Sequence, residues 1–92
     1  MKGQFLHVGF KWVGPPKTAE LKPVFSKAVD WVRYAPNCWI LYTTSSARVW
    51  KERVKPHLGD EDSVLIVKLD PSERNGLLPR WVWDWFKKPR TK

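Results

Sequence analysis

Val29-Asp30-Trp31-Val32-Arg33-Tyr34, then Ala35-Pro36-Asn37, then Cys38-Trp39-Ile40-Leu41-Tyr42-Thr43: the fold turns on how this stretch is read. Its first and last parts are dense in β-branched and aromatic side chains, which suit a pleated strand. The middle is turn chemistry, with proline setting φ and asparagine able to bond its own backbone. The stretch therefore reads as a β-hairpin, with its continuous apolar second strand expected to be buried on both faces. Periodicity alone also permits the preceding helix to run on to Tyr34.

Working outward, Phe5 to Val13 reads as a strand stopped by Gly14-Pro15-Pro16, which cannot continue a ladder. Thr18 is the expected N-cap of a helix whose apolar face is Leu21, Val24, Phe25 and Ala28. Pro23 removes a backbone donor inside that segment, so the helix is expected to be short or kinked. After the hairpin, Ser45 or Ser46 caps a second helix carrying Ala47, Trp50, Val54 and Leu58 as a core stripe. Pro56 falls in its last turn and Gly59 is the expected C-cap. Ser63 to Leu69 reads as another strand buried on both faces. After the loop Pro71–Gly76, Pro79 opens a short helix. Trp81, Val82, Trp85 and Phe86 share one broad face of it, and Trp83 points elsewhere. Lys87, Lys88, Arg90 and Lys92 read as a frayed basic end.

The resulting order, β-α-β-β-α-β plus a helix, is that of an α+β, ferredoxin-like sandwich. One domain over residues 1–88 with a basic tail at 89–92 is expected, because 92 residues supply only one thin core. Pairing with a second copy would thicken that core.

Seventeen Lys and Arg against nine Asp and Glu give a net charge of +8. That sign favours phosphate, acidic protein or anionic lipid, and excludes a DNA mimic. The single cysteine, Cys38, cannot form an internal disulfide and reads as a buried thiol. No apolar run approaches membrane length and no secretory leader is evident, so a cytoplasmic protein without a membrane partner is expected.

From Trp31, through Trp39-Ile40-Leu41, Ser45-Ser46-Ala47, Lys55-Pro56-His57-Leu58 and Ser63–Leu69, to Gly76-Leu77-Leu78-Pro79, the sequence resembles small Cas2-like proteins. Within that superfamily it is most similar to the stand-alone, SinR-like members. The resemblance implies a ferredoxin-like protomer that dimerises, often through its C-terminal segment. It also implies a link to nucleic acids or to prokaryotic phage defence, CRISPR systems included, or counter-defence. Nuclease-type members carry an Asp at the end of the first strand, where two protomers join carboxylates around a metal. Here Phe10 or Lys11 stands near that place.

No carboxylate on the first strand can hold a hard cation. Asp60, Glu61 and Asp62 read as a solvated turn, and Asp70-Pro71-Ser72 as a turn start. His7 and His57 have no Ser, Cys or carboxylate at a telling spacing, so a triad is not supported. A lone His7 meeting its own copy across a dimer axis is an alternative route to acid–base RNA cleavage. No metal, cofactor or catalytic residue is therefore assigned.

What stands out is cations mixed with aromatics. Lys11, Trp12, Lys17 and Lys22 lie around the first turn, Arg33 precedes the hairpin turn, and Arg48, Lys51 and Lys55 line the second helix. Such side chains neutralise phosphates and stack on bases. Trp12 and Trp83 are the tryptophans expected to be exposed, and Trp81, Trp83, Trp85 and Phe86 are the candidate dimer interface. The leading expectation is a non-catalytic, Cas2-like homodimer that binds RNA or DNA. The alternative is a module that binds a protein partner through its tryptophans, such as a phage-encoded inhibitor or adaptor subunit. A degenerate endonuclease is third.

Overall fold

The computed structural model describes residues 3–90. The hairpin is formed: β2 (Asp30–Ala35) and β3 (Cys38–Thr43) are antiparallel, with Trp31 opposite Leu41 and Arg33 opposite Trp39. The helix before it does not run on. α1 (Thr18–Phe25) ends two residues after Pro23, and Ser26, Lys27 and Ala28 bond their N–H groups back onto Lys22, Val24 and Phe25. Thr18 is its first helical residue and Lys17 occupies the cap position without a side-chain bond, so the expected threonine cap is displaced by one residue.

β1 (Gln4–Lys11) lies between β3 and β4 (Ser63–Leu69), giving one antiparallel sheet in the order β2-β3-β1-β4. It ends two residues earlier than expected because Asp62 accepts the Val13 N–H at 2.8 Å and draws the chain off the ladder. α2 (Ala47–Val54) is capped by Ser46, whose hydroxyl accepts from the Val49 N–H at 3.2 Å. A 3₁₀ turn, Lys55–His57, follows it. Gly59 does not close that helix, and its N–H instead donates to Asp62 at 2.8 Å. Among the described residues, α3 (Arg80–Lys87) completes a mixed α+β architecture of a four-stranded antiparallel sheet and three α-helices. That order is compatible with the βαββαβ reading.

Strand alternation divides the sheet into two unlike faces. On the front, Leu6, Val8, Phe10, Trp39 and Leu41 meet Leu21 and Phe25 of α1 and Trp50 and Val54 of α2 in one buried cluster. The Trp50 indole N–H donates to the Thr43 hydroxyl at 3.0 Å, so its one polar atom is satisfied in the interior. On the back, α3 covers only part of the sheet: Val82 is buried, and Trp85 and Phe86 pack on Phe5 at 5.7 and 5.5 Å.

β4 corrects one expectation. Among the described residues it is an edge strand paired only with β1, and its back-face residues Leu65 and Val67 are 62% and 42% exposed. An apolar run reads alike whether one ladder or two flank it. β3, in contrast, has neighbours on both sides, and Trp39, Ile40 and Leu41 are all buried.

The C-terminal cations are not uniformly frayed. Arg90 is only 6% exposed at its side chain. Its guanidinium donates to the Trp85 carbonyl at 2.7 Å and to Asp30 at 3.1 Å. It also lies 4.3 Å from the Trp85 ring, 5.2 Å from Tyr42 and 5.4 Å from Phe5. The residue pins the end of α3 to the back of the hairpin. Lys92 of the expected tail lies outside the described residues.

Candidate nucleic-acid interface

At the β2 edge of the front face the helical layer thins, and a groove of about 360 Å³ opens there. Alternation along β2 sends Trp31 and Arg33 to the front while Val32 goes to the back. Leu21 and Phe25 bury one side of α1, which leaves Lys22 on the exposed side facing the groove. Trp39 forms part of its lining, and Trp81 reaches it from the first turn of α3.

Arg33 is held in place before any ligand arrives. Its Nε and Nη2 both donate to the Pro36 carbonyl, at 3.1 and 2.8 Å, and its plane lies 5.3 Å from the Trp39 ring. The hairpin turn thus fixes the guanidinium by local geometry. Among the described residues neither Arg33 nor Lys22 makes an ion pair. Two uncompensated cations beside three indoles can attract an anion and present an aromatic face.

The eight cations and aromatics picked out from sequence do not form one surface. Lys22 and Arg33 share the groove. Lys17 is one residue from Thr18 at its margin, and Lys11 is exposed at the end of β1. Arg48, Lys51 and Lys55 form a separate exposed ridge along α2 and the turn after it, with Lys51 3.8 Å from Glu52. Trp12 is not an outward platform. It is half-buried and stacks on Phe10 at 4.9 Å with an 11° tilt, packed against the front core.

The chain matches no family model, no curated protein and no solved structure.

The aromatic end of α3 is also distributed differently from expectation. Trp85 and Phe86 face the sheet, and Trp83 is half-buried 6.2 Å from Phe86 with its ring edge against Gly76. Trp81, expected to share one broad face of α3 with Val82, Trp85 and Phe86, is 52% exposed while Val82 is buried. A helical wheel groups Trp81 with Val82, but the first turn of α3 overhangs the β2 edge, where no layer covers it. The groove that Trp81 completes with Lys22 and Arg33 is therefore not legible in the sequence, which assigns Trp81 to a dimer interface.

The acids are engaged in loop structure. Asp62 accepts from the Val13 and Gly59 N–H groups, which hold its carboxyl below the usual range. Asp70 accepts from the Ser72 hydroxyl and N–H at 2.7 and 3.0 Å, as its Asp-Pro-Ser context implies, and is likewise lowered. No group of three or more His, Cys, Asp or Glu suited to a metal occurs among the described residues. At the end of β1, Phe10 is buried in the front core and Lys11 is exposed.

Of the two histidines, His57 pairs with Glu20 at 3.0 Å, tying the turn after α2 to α1. His7 lies on the back face with its Nε2 2.5 Å from the Tyr34 hydroxyl. Burial lowers the His7 pKa, and burial together with the nearby Cys38 thiol pushes the tyrosine up to about 12. Near neutral pH this is an uncharged pair on the face opposite the groove. Cys38 itself is half-buried. No helix among the described residues is long and apolar enough to cross a membrane.

Proposed function

We propose that this protein is a ferredoxin-like, Cas2-like module that binds nucleic acid without catalysing a reaction on it, and that it works as a homodimer. The observation that carries the reading is the groove in which a pre-positioned Arg33 and an unpaired Lys22 stand beside Trp31, Trp39 and Trp81. The α2 ridge and the net charge of +8 supply long-range attraction for phosphate. The strand order supports the ferredoxin-like assignment. The residues at the end of β1, Phe10 and Lys11, support the absence of a carboxylate metal centre of the nuclease type.

Binding of a labelled RNA or DNA oligonucleotide, followed from low to physiological salt, tests the reading. Affinity should fall linearly on a log–log plot, and Arg33→Ala should reduce the slope by about one. A protein that ignores both polymers at low salt overturns it. Cleavage of RNA or DNA in Mg²⁺, abolished by His7→Ala, would overturn the non-catalytic part.

One observation favours a second reading, a protein-binding module. Leu65 and Val67 present an open apolar strip on an edge strand whose outer backbone has no ladder partner among the described residues. A partner seated there would bind with little dependence on salt. The proposed homodimer draws on the same strip. Sedimentation should then show a dimer that Leu65→Lys with Val67→Lys converts to a monomer.

A further inference from the structure

We infer that the groove beside β2 takes one unpaired nucleobase of a single-stranded nucleic acid, stacked on Trp81, with an adjoining phosphate on Arg33. The inference rests on the nucleic-acid reading and narrows it to a class of ligand and a site. At about 360 Å³ the groove is at the small end of ligand sites, of a size to take one nucleotide. Trp81 is 52% exposed and borders the groove, so its ring can pack against a flat π-system. In a duplex those base faces are covered by their neighbours, and exposing one costs a few kcal/mol. A single strand offers its bases already free to splay.

Arg33 supplies the second half of the site. Its two bonds to Pro36 occupy two of the five N–H donors of a guanidinium, and the rest have no acidic partner among the described residues. An arginine so restrained loses little side-chain freedom when it takes a phosphate. Lys22 adds a further positive charge on the α1 side. The α2 ridge is different in kind: its aromatic residue, Trp50, is fully buried, so Arg48, Lys51 and Lys55 can attract phosphates but offer no base platform. The ridge should therefore bind single and double strands alike, and the groove should add preference for the single strand.

The test is fluorescence anisotropy at low salt with 12-nucleotide oligo(dT) and oligo(U), the same oligo(dT) with abasic positions, and a 12-base-pair duplex. The expected result is tighter binding of the single strands than of the duplex. Trp81→Ala should weaken single-strand binding about 5- to 150-fold, the loss of one base–aromatic stack, and leave the duplex unchanged. Abasic DNA should bind wild type as weakly as oligo(dT) binds Trp81→Ala, which probes the stack without altering the protein. Arg48→Ala should weaken every ligand by the same factor. Comparing oligo(dT) with oligo(U) tells DNA from RNA. Equal, salt-sensitive binding of single strand, abasic strand and duplex overturns the inference while leaving the nucleic-acid reading standing. No binding of any of them overturns both.

Discussion

The two faces of the sheet are built on different principles. The front is closed by two helices over a contiguous cluster of aliphatic and aromatic side chains, in which the buried Trp50 indole donates to the buried Thr43 hydroxyl. The back is covered in part by α3, pinned through Arg90 to Asp30 and to the carbonyl of Trp85, and elsewhere leaves Leu65 and Val67 in the open. Non-directional burial holds the front, while a few directional bonds to one cation hold much of the back. A fold of this size can carry one complete core and has only partial means for a second.

The largest effect should come from the front. Trp50→Ala removes a fully buried indole and leaves the Thr43 hydroxyl with the Ser45 N–H as a donor, and should cost about 3–5 kcal/mol in urea unfolding, most of it from the cavity. Arg90→Ala should cost less, about 1–3 kcal/mol, since Asp30 retains Lys88 at 3.3 Å. Its signature is faster hydrogen exchange in α3 with β1 and β3 still protected. Should Arg90→Ala destabilise as much as Trp50→Ala, the two faces are one cooperative unit and the contrast fails.

Acid sharpens the same contrast, because the partly buried titrating groups with shifted pKa lie on the back. Burial alone would raise the Asp30 pKa, but the Trp31 N–H at 2.9 Å and Lys88 at 3.3 Å outweigh it and hold it below its ordinary 3.8. The unfolded chain then binds the Asp30 proton more readily. Its stabilising contribution is complete above that value and is lost as pH falls through the lower folded one. His7, lowered by burial from 6.5, likewise contributes fully above 6.5 and loses its contribution as pH falls below. Global stability should begin to fall below pH 6.5 through His7, the protection of α3 relative to the intrinsic exchange rate should fall further below 3.8 through Asp30, and Asp30→Asn should remove that second step.

The smallest effect belongs to the open strip. Leu65→Thr with Val67→Thr should change the stability of a monomer by no more than about 0.5 kcal/mol per site. A larger loss that grows with protein concentration would show that a second chain completes the back face.

The sequence was informative wherever a local rule decides. Ala35-Pro36-Asn37 between two β-branched, aromatic runs specifies the hairpin, and Ser46 with Trp50 and Val54 specifies α2. It was silent where the outcome depends on what lies next door. Ser63–Leu69 has the composition of a central strand but stands at an edge. Arg90 reads as one more solvated cation, yet three aromatic rings surround it. Lys22 and Arg33 could be chosen singly from sequence, but only folding brings them to the same groove, and Trp81 joins them because α3 overhangs β2.

The bare β4 edge has a colloidal consequence. A charge of +8 keeps identical molecules apart, and Lys68 on that strand adds a local repulsion. A polyanion bound in stoichiometric amount cancels the repulsion and lets exposed strands approach one another. Solutions should therefore turn cloudy near charge equivalence and clear again when the polyanion is in excess.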